Sequence, residues 1–145
     1  MNAAINNFKN RNEVVLDHCS IWLRDDAVLM VSLEEGSQIG FTEARKIMDT
    51  IEQLSHLTRR SIVFDIRPAQ LDMAARVLIT GERFADVKKS VALIVPSFFS
   101  QMAANLAFLL DKPSFPIRAF ISEKQALRWS RMHSAETAFY LAAGQ

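Results

Sequence analysis

The chain has 145 residues, of which half are hydrophobic and 23% charged, with 17 basic side chains against 16 acidic ones. That describes one globular domain with enough apolar material for a full core, and it excludes disorder as the main state. The balanced charge gives no concentrated basic surface for nucleic acid, and no run approaches the roughly 20 apolar residues of a membrane-spanning helix.

Residues 1–14 read as a polar, mobile N-terminal tail. Five of the first twelve residues are Asn, and no apolar signal-peptide core is present, so a cytoplasmic setting is expected. Residues 15–134 read as a single α/β domain and 135–145 as a C-terminal tail. The lone Cys19 excludes an intramolecular disulfide and reads as a small core residue.

Asp17 to Arg24 alternates as a strand, with Cys19, Ile21 and Leu23 on one side. Asp25-Asp26 is a turn, and Ala27 to Glu34 is a second strand, so the two form a hairpin. Thr42 then opens an amphipathic helix as its cap, with Ala44, Ile47, Met48, Ile51, Leu54 and Leu57 at helical spacing. Ser61 to Ile66 is a short, β-branched apolar run of the kind buried on both faces of a parallel sheet. A second helix is expected from about Gln70 to Val87, with Leu71, Ala74, Ala75, Leu78 and Phe84 inward and a break or bend at Gly81. Val91 to Val95 is the most strand-like segment.

Ser97 caps a third helix that runs to about Asp111. Its stripe of Phe99, Met102, Ala103, Leu106 and Leu110 is sufficient for the core. Phe108 then falls on the opposite side with Gln101, Ala104 and Asn105, and Phe98 lies at that side's border. A helix apolar beyond one stripe is usually covered twice. The second cover is either another subunit or the C-terminal Phe139, Tyr140 and Leu141. The expected partner interface is therefore Phe98, Gln101, Ala104, Asn105 and Phe108. A last strand spans Phe115 to Ile121, with Pro116 at its start or on an edge. Ser122 caps a last helix, through Trp129 to about His133. The order β-β-α-β-α-β-α-β-α implies a mixed sheet with a parallel portion.

The three histidines are scattered and carry no metal-ligand spacing, and no P-loop, G-x-G-x-x-G or G-x-S-x-G pattern occurs. No catalytic residue, metal or cofactor is expected. In open α/β sheets ligands sit beyond the carboxyl ends of the strands. That places Arg67, Gln70, Ser97 and Ser100 as candidate contacts for a small apolar or anionic ligand, although Ser97 and Ser122 also read as plain helix caps. Lys124, Arg128 and Arg131 share a helix face and, with Lys88 and Lys89, read as a basic patch or as a solvated surface.

The run Val91-Ala92-Leu93-Ile94-Val95-Pro96-Ser97, then Ala104-Asn105, Lys112-Pro113-Ser114-Phe115-Pro116, Ser122-Glu123 and Ala126-Leu127-Arg128-Trp129 resembles the SpoIIAA-like, or STAS-like, group of small bacterial domains. The resemblance covers roughly residues 17 to 133. It implies a mixed central sheet in a small regulatory, protein-interaction or ligand-binding module, with lipid-binding relatives of the same fold. Antagonists of this group carry an Asp-Ser-Ser-Gly turn whose serine is phosphorylated. The matching stretch here is Asp72-Met73-Ala74-Ala75, and no Ser or Thr occurs from Ile62 through Ile79. The resemblance thus implies a non-catalytic module without that phosphoryl switch, with a homodimer or another protein as its partner. The alternative is a small-ligand or lipid-binding domain.

Overall fold

The computed structural model describes residues 4–5, 13–56 and 58–143, with side chains over 13–56 and 58–134. Among the described residues, seven strands form one sheet. Its antiparallel part comprises β1 (Ala4–Ile5), β2 (Val14–Val15), β3 (Cys19–Leu23) and β4 (Val28–Leu33). A two-residue strand β5 (Gln38–Ile39) leads into helix α1 (Phe41–Ser55), followed by β6 (Arg60–Asp65). After β6 come β7 (Gln70–Leu71), α2 (Met73–Thr80), a 3-10 turn over Ala85–Val87, and β8 (Lys88–Ile94). Helix α3 (Phe98–Asp111), strand β9 (Ile117–Phe120) and helix α4 (Glu123–Ala143) complete the chain. The order across the sheet is β1-β2-β3-β4-β6-β8-β9, parallel from β4 onward, and β5 pairs with β7 as a separate parallel ribbon. The mixed sheet expected from the sequence is present.

Local chemistry explains most of the boundaries. The hairpin turns at Asp25-Asp26, where Asp26 accepts from the Val28 amide at 3.2 Å and Ala27 takes a positive φ of 67°. Leu23 then faces Leu29 across the strands. Helix α1 starts one residue before the expected Thr42 cap. Gly40 is its N-cap, and its amide donates to the Glu43 carboxylate at 2.8 Å. Expected core residues Ala44, Ile47, Met48 and Ile51 are buried, while Leu57 lies outside the described residues.

The second helix is shorter than the periodicity suggests. Residues Gln70–Leu71 pair with β5 instead, because Asp72 intervenes as the N-cap and accepts from Ala75 at 2.9 Å. Gly81 ends α2, and Ala74 is exposed where an inward position was expected. Helix α4 runs on to Ala143, past the expected end near His133. Phe139, Tyr140 and Leu141 lie in its last turns, where side chains are outside the described residues. So does most of the expected N-terminal tail.

The parallel strands are buried on both faces. Residues Leu29, Val31, Ile62, Phe64, Val91 and Leu93 pack with α1 and α2. Their neighbours Val28, Met30, Val63, Ala92 and Ile94 pack with Ala126 and Leu127 of α4. Cys19 belongs to the first cluster, and burial pushes its thiol up to about 12, which keeps it unreactive.

The start of β8 departs from simple alternation. Arg60 faces Lys88 but Ser61 faces Ser90, so β8 carries one extra residue there. Lys88 therefore points toward α2 while Lys89 reaches the Ser134 carbonyl of α4. Lys88 is 0% exposed, which removes it from the expected basic patch. Its ammonium donates to the carbonyls of Leu78, Gly81 and Arg83 at 3.0, 2.8 and 2.9 Å and lies 5.1 Å from the Phe115 ring centre. Three donors thus meet three acceptors, which offsets the cost of burying the charge.

Burial nevertheless lowers the Lys88 pKa from 10.5 to about 8, with Glu82 pulling the other way. Between about pH 8 and 10.5 the unfolded chain then binds more protons than the folded one, so stability rises with pH in that window. Urea melts of the wild type and Lys88→Met should show the variant about 2 kcal/mol less stable at pH 7. The gap should widen by up to about 3 kcal/mol toward pH 10 and stay flat below pH 7.

Candidate functional site

The carboxyl ends of β6 and β8 carry the polar residues singled out from the sequence, and their geometry is largely self-contained. Asp65 ends β6 nearly buried and grips Arg67 with two hydrogen bonds, Nε to Oδ1 at 2.9 Å and Nη2 to Oδ2 at 2.7 Å. The Arg67 amide donates to the same carboxylate at 3.2 Å. That hydrogen bonding raises the Arg67 pKa above its ordinary value, against the opposing effect of desolvation. Ser97 caps α3, accepting from the Ser100 amide at 3.1 Å, and the two hydroxyls lie 2.9 Å apart. Gln70 accepts from Gln38 at 3.4 Å across the small ribbon. Gln70 and Ser100 come together on one groove, whereas Arg67 and Ser97 stand outside its lining.

That groove runs between α2 and α3 and encloses about 690 Å³. Met73 and Val77 form one wall, Phe99 and Phe108 the other, with Ala103 and Ala107 between them. It exists because α3 does not lie flat on the sheet. The helix packs instead along the edge strand β9, and none of its residues is fully buried.

The orientation of α3 reverses the sequence expectation. Phe99, Met102, Leu106 and Leu110, expected in the core, face outward, with Phe99 80% and Leu110 75% exposed. Gln101, Ala104, Asn105 and Phe108, expected to meet a partner, face the protein itself. Phe98 is exposed.

The reason is the edge of the sheet. Ala119 in β9 is 0% exposed, and both of its backbone groups need partners. The Asn105 amide supplies both: its Oδ1 accepts from the Ala119 amide at 2.8 Å, and its Nδ2 donates to the Ala119 carbonyl at 3.2 Å. Gln101 adds a second donor to that carbonyl, also at 3.2 Å. A side-chain amide here replaces the missing next strand. Ala104 and Phe108, flanking Asn105, close against the core. The sequence signal was present, as Gln101 and Asn105 sit four residues apart on one face, but amides on a helix read by default as its wet side.

Lys124, Arg128 and Arg131 share the exposed side of α4, without the buried Lys88. Arg131 lies 3.7 Å from Asp26, which also pairs with Arg24, while Lys124 and Arg128 are exposed. Among the described residues, no group of three or more His, Cys, Asp or Glu side chains is placed to hold a metal ion. No described helix is long and apolar enough to cross a membrane.

Comparison with other proteins agrees with this architecture. A family model described as a domain of unknown function, DUF7793, matches residues 21–134. No curated protein matches the chain. Among solved structures it is similar to an uncharacterized protein of the DUF3478 family with a SpoIIAA-like fold, from Shewanella loihica PV-4. The two share 16% identity and a TM-score of 0.59, over 80% of this chain and 96% of that one. The likeness shows the SpoIIAA-like fold that the sequence motifs implied.

The clasp on Ala119 makes a direct prediction. Asn105→Leu keeps the branched outline but leaves the Ala119 amide without its partner, so chemical denaturation should show a loss of about 2 kcal/mol. An unchanged midpoint would mean that the clasp does not hold α3.

Proposed function

The chain belongs to the DUF7793 family, and from that premise we propose that it is a non-catalytic, regulatory protein-interaction module that docks its partner on the outward face of α3. The observation that carries this reading is the exposure of Phe98, Phe99, Met102, Leu106, Leu109 and Leu110 on a single helix. An apolar patch of this extent on a folded domain marks an interaction site more often than a bare surface. The polar residues near it support a non-catalytic role. Arg67 is taken up by Asp65, Ser97 by Ser100 and Asn105 by Ala119, so each serves the fold rather than a substrate.

Regulation at this site does not use the phosphoserine turn of STAS antagonists. Asp72 heads α2 as its cap, and the following residues, Met73, Ala74 and Ala75, offer no acceptor hydroxyl. The expected setting is the bacterial cytoplasm.

A second reading is favoured by the groove itself. Its volume of about 690 Å³ falls within the range of small-molecule sites, and its lining is mainly apolar. A lipid or another small apolar molecule fits that chemistry, with Gln70 and Ser100 as the polar contacts. Native mass spectrometry of the purified chain should then show a mass adduct that a Val77→Trp variant, which fills the groove, does not carry.

The main reading is tested by passing an extract of the source cell over immobilised wild type and Leu106→Asp. Leu106 is 61% exposed, so the variant should melt within about 1 kcal/mol of the wild type. Proteins retained by the wild type and lost by the variant are the expected outcome. Identical retention by both would remove the α3 face as the docking surface.

A further inference from the structure

The occupant of the α3 face follows from its pattern, granted the reading of that face as a docking surface. We infer that the chain pairs with a second copy of itself, α3 against α3, antiparallel about a two-fold axis. Phe99, Ala103, Leu106 and Leu110 lie on the outward face at successive intervals of four, three and four residues, the spacing of a helix–helix seam. In an antiparallel pair, the positions that meet have a constant sum. The stripe obeys that rule with itself. Phe99 meets Leu110 of the second copy, and in the same register Ala103 meets Leu106 of the second copy. Each meeting that involves the small alanine has a larger leucine opposite, so the helices close without a void at the axis.

The same axis sets the first residue of the helix, Phe98, opposite its last, Asp111, so the two helices overlap over their whole 14 residues. The seam is about 21 Å long. It carries no polar side chain to be stranded, because Gln101 and Asn105 are turned to β9.

Two further observations favour a second copy over an unrelated partner. Phe99, Leu106 and Leu110 on the seam and Phe98, Met102 and Leu109 on its flank expose on the order of 800 Å² together, so a pair that covered them all would bury an interface of standard size. Asp111 sits at the carboxyl end of α3, where the helix dipole disfavours a negative charge. Antiparallel pairing brings it to the start of the other α3, among free amides, where the same dipole favours it. A two-fold axis applies this exchange to both copies at once.

Sedimentation equilibrium over a wide concentration range should give twice the 16.4 kDa chain mass. Leu106→Asp should give the single-chain mass with unchanged circular dichroism. The register is read by cysteine cross-linking, with Cys19 buried and silent. A mixture of Phe99→Cys and Leu110→Cys chains should cross-link under mild oxidation, while either variant alone should not. Cross-linking of Phe99→Cys with itself would overturn the antiparallel register. A wild-type chain that is monomeric at every concentration would overturn the pairing. In that case, proteins retained from extract by the wild type and lost by Leu106→Asp would leave the broader interaction reading standing, and equal retention would remove both.

Discussion

The backbone of Ala119 has to be satisfied at the edge of a sheet that stops at β9, and the rest of the candidate site depends on how that is done. Water does not reach this residue, and among the described residues no strand lies beyond β9. The Asn105 amide answers with one acceptor and one donor in the positions a strand would supply. That choice fixes the rotation of α3 about its own axis. Once the amide side is turned inward, the apolar side has only solvent to face. The groove beside α2 and the exposed stripe are two results of one hydrogen-bonded clasp.

Most of the fold was legible in the sequence because its elements obey simple periodicities. The hairpin around Asp25-Asp26, the amphipathic α1, the doubly buried β6 and β8, and the Ser97 cap all follow from local residue patterns. The site was less legible, and α3 shows why. Periodicity locates a stripe but gives no sign for which side meets the protein. The usual assumption, apolar inward, fails when the neighbour is an unpaired strand edge that needs amides more than methyl groups. Lys88 was missed for a related reason. Alternation counted back from Val91 gives it the wrong face, because one extra residue lies between.

The two faces of the sheet are covered unequally. A single helix, α4, seals one side with Ala126, Leu127 and Trp129. The other side is shared by α1 and α2, with α3 displaced to the rim. A SpoIIAA-like domain built this way keeps its stabilising contacts in the sheet, α1, α2 and α4. Its third helix is attached by polar bonds and a few flanking side chains, leaving the outer surface largely free of structural duty. Such a surface can be selected for what it binds without disturbing what holds the domain together.

The irregularity at the head of β8 has a consequence for comparing sequences. Losing one residue between Val87 and Ser90 would restore plain alternation, and the one lysine left there would share the face of Val91, toward the carbonyls of Leu78, Gly81 and Arg83, while the tie from Lys89 to the Ser134 carbonyl would be gone. The extra residue is therefore what lets two adjacent lysines fasten helices on opposite sides of the sheet. A relative with a gap here keeps the fastening at the end of α2 and gives up the one to α4.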